Sequence, residues 1–115
     1  MTDQHAGLTE ARWREFSFGQ RILMIGNELH RARKLALPDD GERRRNSMER
    51  VLALADLTIG IESSSTRLRE LLRWREIAGE SYLAWPPDPE FDRRLLRVLL
   101  QLTPESAPQA DLVAG

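Results

Sequence analysis

Arg43-Arg44-Arg45 is the one local charge anomaly in the sequence. A guanidinium presents five N–H donors in a planar fork that fits phosphate. With Arg31, Arg33 and Lys34 from the preceding segment, the run could contact nucleic acid or another anion. Antiparallel helices would gather those six cations at one end of the molecule, but with seven carboxylates: Asp39, Asp40, Glu42, Glu80, Asp88, Glu90 and Asp92. Helical phase also turns Arg44 and Arg45 toward partner helices, where they can reach the last carbonyls of the first helix and nearby carboxylates. End-capping is therefore the preferred role, and nucleic-acid binding through the arginines is the alternative.

Glu28, Arg75 and Asp56 form a second constellation. Phase places Glu28 between Ile25 and Ala32, and Arg75 between Leu71 and Ala78. An inward-facing Glu28–Arg75 ion pair is expected, with Asp56 as a second partner for Arg75. Fixing register is the best-attested use of such a pair; an acid in a cleft or an anion pocket is the functional alternative.

Nothing else assembles a reaction centre. Of the two histidines, His5 and His30, the second follows Glu28 by two residues, so those side chains diverge instead of converging on a metal as Glu-x-x-His does. Ser63-Ser64-Ser65 has no histidine base nearby and reads as a loop, since short hydroxyl residues favour caps. Gly19, Gly26, Gly60 and Gly79 are single, so no phosphate-cradling loop exists. The absence of cysteine removes disulfides and thiolate nucleophiles. No catalytic residue, cofactor or metal is expected.

The elements that position these groups are helical. Phe18, Ile22, Ile25, Leu29, Ala32 and Ala36 step by three and four, and Ser17 with Gln20 predicts a capping box at the start. Met48, Leu52, Ala55 and Ile59 form one seam, with Val51, Leu54, Thr58 and Ile61 beside it, so this helix should be central or lie at a subunit interface. Leu68, Leu71, Leu72, Ala78, Tyr82 and Trp85 mark a third, ended by Pro86-Pro87. Asp88-Pro89 opens a fourth carrying Phe91, Leu95, Val98 and Leu102. The spacing predicts helices over about 9–36, 40–62, 66–84 and 89–102 in one domain, residues 1–103, with residues 9–16 either extending the first helix backwards or forming a separate turn, and a disordered tail over 104–115. Short connections make sequential helices antiparallel neighbours. The expected fold is thus all-α, an up-down-up-down four-helix bundle.

Composition narrows the function classes. A net charge of −1 argues against a whole-protein field drawing in nucleic acid or lipid headgroups. No apolar run is long enough to span a membrane and the N-terminus lacks signal-peptide character, so a cytoplasmic location is expected. Trp13, Trp74, Trp85 and Tyr82 are too dispersed for a base-stacking platform.

The stretch Glu49 to Glu76, ERVLALADLTIG…RLRELLRWRE, resembles segments of small bacterial four-helix proteins of unknown function. The likeness implies a helical bundle and supplies no activity. The expected function is a non-enzymatic scaffold or adaptor that binds itself, and another protein, through an apolar helix face.

Overall fold

The structure, a computed structural model, describes residues 10–113. Among these it is all-helical, with no strand. Six α-helices replace the expected four: α1 (Glu10–Trp13), α2 (Phe18–Arg33), α3 (Gly41–Ile61), α4 (Ser65–Leu83), α5 (Pro89–Leu100) and α6 (Ala107–Val113), with a 3-10 turn over Pro38–Asp40.

Of the two alternatives for the start of the first helix the separate one forms, so α1 and α2 replace a continuous helix over 9–36. Ser17 is extended (φ −68°, ψ 163°) and caps α2: its hydroxyl accepts from the Gln20 N–H at 3.1 Å while its own N–H donates to Gln20 Oε1 at 2.8 Å. The break lets Trp13 turn onto α3, where its indole N–H donates to Thr58 Oγ1 at 2.9 Å in a fully buried contact. Arg21 then covers the end of α1, its Nε donating to the Trp13 carbonyl at 3.1 Å. Desolvation there lowers the Arg21 pKa.

The loose tail expected over 104–115 is likewise corrected within the described residues. Thr103 and Ser106 are buried and bonded to each other, and Ser106 Oγ donates to the Leu100 carbonyl at 2.5 Å. That anchor starts α6, whose Ala110 is fully buried. Pro108 falls in the first turn of α6, where a missing N–H costs nothing. Glu105 reaches back to the start of α2, accepting from Ser17 Oγ at 3.2 Å. An anion is favoured at that end of a helix. It lies so close over Gly19 that any Cβ there would displace it.

Each of α2 and α4 packs on both α3 and α5, while α1 packs on α3 and α6 on α5. Ile22, Ile25 and Leu29, Met48 and Val51, Leu71 and Trp74, and Leu95 and Leu99 meet in one core. Fully burying each aliphatic side chain contributes roughly 1.5–3 kcal/mol. The broadly apolar α3 is central: α1, the 3-10 turn, α2 and α4 all lie against it. Its half-buried Leu52, Leu57, Ile59 and Ile61 pack on the same core. No helix among the described residues is long and apolar enough to cross a membrane.

Candidate functional site

The three consecutive arginines diverge. Arg43 pairs with Asp40 one turn back. Arg45 points to solvent. Arg44 turns inward and is 3% exposed. Its guanidinium donates to the Ala32 carbonyl near the end of α2 at 3.2 Å, to Ser81 Oγ on α4 at 3.0 Å, and meets Asp92 Oδ2 on α5 at 2.9 Å. Ser81 in turn donates to Asp92 Oδ1 at 2.6 Å. One buried network thus joins four helices. Asp92 uses both oxygens, and the Ser81 proton points at an acceptor already neutralised by Arg44. The arrangement crosslinks; it does not activate a nucleophile.

Sequence reasoning did not single out Ser81, and it counted Asp92 with the end-of-bundle acids. Their positions carried a signal. Leu71, Trp74, Ala78 and Ser81 step by three, four and three, as do Arg44, Met48, Val51 and Ala55 by four, three and four. Asp92 stands three and four residues before Leu95 and Leu96. Polar residues in register with three facing apolar seams mark an internal network.

The expected Glu28–Arg75 pair is replaced by two separate arrangements. Glu28 accepts from Arg31 and from Arg50, each at 3.3 Å. Arg75 bonds Asp56 through Nε at 2.9 Å, at a partly exposed position. The reason is placement: α2 and α4 both lie against α3 and α5, so α3 supplies the nearest partner to each charged group. His30 stands on α2 beside Arg33 and Lys34, and desolvation with those two cations lowers its pKa from the ordinary 6.5. Ser64 caps α4 by accepting from the Arg67 N–H, and Ser65 opens that helix. His5 lies outside the described residues. Among the described residues no group of three or more His, Asp or Glu converges as a metal site.

Three surface depressions stand out. At the α3–α4 end, a cavity of about 360 Å³ lies between Arg44, Arg45, Tyr82 and Trp85. There the Tyr82 hydroxyl donates to Glu49 at 2.8 Å, and this bond, with burial, raises the Tyr82 pKa above 10.0. Between α4 and α5 runs an apolar groove of about 300 Å³ lined by Trp74, Ile77, Phe91, Leu95 and Val98, with Arg94 the one charged group among the described residues lining it. Val98 is 50% exposed and Ile77 38%. The third depression, between α2, α5 and α6, contains His30 and Arg33. Compared with known proteins, the chain matches no family model, no curated protein and no solved structure.

Proposed function

We propose that the protein is a non-enzymatic interaction module that pairs with a second copy of itself through the α4–α5 face. The observation that carries this reading is the apolar groove, where Ile77 and Val98 expose aliphatic surface above the buried Trp74 and Leu95. A contiguous apolar surface rimmed by polar groups suits association. The rim favours a like partner. Glu70, Arg73 and Glu80 extend the Ile77 side of α4, and Arg94 lies on α5. None of the four forms an ion pair among the described residues. A twofold interface brings the same patch together from both copies, so a patch carrying both signs can satisfy itself.

We read α2 to α5 as the four rods of an antiparallel bundle, with α1 and α6 as short additions. The side-chain pairs support this. Glu28 with Arg50 and Ala32 with Arg44 run in opposite order along α2 and α3. Arg44 with Ser81 and Asp56 with Arg75 do so along α3 and α4, and Trp74 with Leu95 and Ser81 with Asp92 along α4 and α5. The face open on α4 and α5 is then a side of the bundle, the geometry in which helices pair lengthwise. Light scattering on the eluting protein tests the reading. A species of twice the 13.2 kDa chain mass at micromolar concentration is expected. A monomer at all concentrations up to the millimolar range overturns it.

A further inference from the structure

The depression between α2, α5 and α6 differs from the others in its chemistry. Its floor is aliphatic: Leu96 and Leu100 are 2% and 5% exposed, and Leu23 lies beside them. Asn27, His30 and Arg33 stand along one face of α2, and Gln109 faces them from α6. No acid is among the described residues lining it. Arg33 is half-buried and, unlike Arg31 two residues earlier, forms no ion pair among the described residues. The far wall is held in place: Ser106 bonds the Leu100 carbonyl and Ala110 is fully buried, so α6 keeps Gln109 and the 77% exposed Leu112 at the mouth.

We propose that this groove binds a monoanion with an aliphatic body, a medium-chain carboxylate. Arg33 supplies the one full charge, and a guanidinium meets a carboxylate with paired N–H donors. Asn27 and Gln109 add neutral amide donors. Leu23, Leu96, Leu100 and Leu112 take the chain. The volume of about 420 Å³ is in the range of small-molecule sites. A nucleotide fits poorly, because Arg33 alone leaves further phosphate charge unmatched and the floor is aliphatic, with His30 the sole ring among the described residues lining it. The site is separate from the α4–α5 face and does not depend on pairing.

The test is a titration of the full chain with sodium decanoate, below its micelle concentration, followed by amide NMR. Saturable one-to-one binding is expected, with shifts centred on Asn27, His30, Arg33 and Gln109. Decyltrimethylammonium, with the opposite charge, binds more weakly. Arg33→Gln, which breaks no internal ion pair, weakens decanoate binding about tenfold, the worth of a charge-assisted hydrogen bond. Arg45→Gln, which does not line this groove, leaves it unchanged. Non-saturable shifts, equal binding of the cationic amphiphile, or full affinity in Arg33→Gln each overturn the assignment.

Discussion

The Arg44 guanidinium and the Asp92 carboxylate meet at 2.9 Å with both side chains 3% exposed, joining two helices that each pack on α2 and α4. Ser81 bonds both ions, and the Ala32 carbonyl takes another guanidinium N–H. Desolvating a pair this deep offsets much of its attraction, so its worth lies in what its loss leaves behind.

Arg44→Met strands the Asp92 carboxylate in the core. The cost is about 3–5 kcal/mol, a fall in melting temperature of roughly 10 °C or more for a domain of this size. Arg44→Met combined with Asp92→Leu removes both charges and recovers most of the loss. Thermal melts by circular dichroism at neutral pH measure both. Equal melting of Arg44→Met and the parent would contradict the network's role.

Arg75→Ala acts on a different kind of pair. Its partner Asp56 has a side chain 57% exposed. Solvent screens such pairs, and the expected loss is under about 1 kcal/mol. Glu28→Ala frees Arg31 and the less exposed Arg50 together, so it costs more than Arg75→Ala. The reverse order in urea unfolding would contradict the exposed pairing of Arg75 with Asp56.

His30 gives the protein a small pH dependence. Its folded pKa lies below the unfolded value near 6.5, through desolvation and then Lys34 and Arg33. Between the two values the unfolded chain binds more protons, so stability is full above pH 6.5 and declines as the pH falls through that window. The melting-temperature difference between parent and His30→Gln should therefore shift against the parent from pH 7.5 to pH 5. Parallel profiles would show that the ring feels neither the desolvation nor the two cations.

Nucleic-acid contact through the arginine run is not expected. Arg44 is committed to Asp92, Arg43 to Asp40 and Arg31 to Glu28. Mobility-shift assays with mixed RNA and DNA at low salt, where phosphate contacts are strongest, should show no retardation. Retardation that Arg45→Gln reduces would restore that reading.

The helical content was legible because three-and-four spacing, as in Ile22, Ile25 and Leu29, fits only a helix; the last seam was misphased, since α5 ends at Leu100 and buries Leu95, Leu96, Leu99 and Leu100 while Val98 is exposed. The caps at Ser17 and Asp88 were legible for the same local reason. The division of the first helix was less visible. It depends on Trp13 reaching Thr58, a contact 45 residues away that leaves no mark on local periodicity. α6 was hidden by Pro104 and Pro108, which resemble tail composition until Ser106 finds the Leu100 carbonyl. Among the site residues, the inward turn of Arg44 toward the last carbonyls of the first helix and a nearby carboxylate followed from phase, but Ser81 did not. Arg75 took its second expected partner, Asp56, while Glu28 took Arg31 and Arg50, because phase fixes a direction and leaves open which helix lies there.

Self-pairing through α4 and α5 is tested most directly by sedimentation velocity on Val98→Glu beside Leu72→Glu. Both replace a half-exposed aliphatic residue with the same charge, but Val98 lines the groove and Leu72 lies outside it. Parent and Leu72→Glu should sediment as dimers at twice the 13.2 kDa chain mass, and Val98→Glu as a folded monomer. A Val98→Glu dimer as tight as the parent, or a parent that never leaves the monomer, would contradict the account.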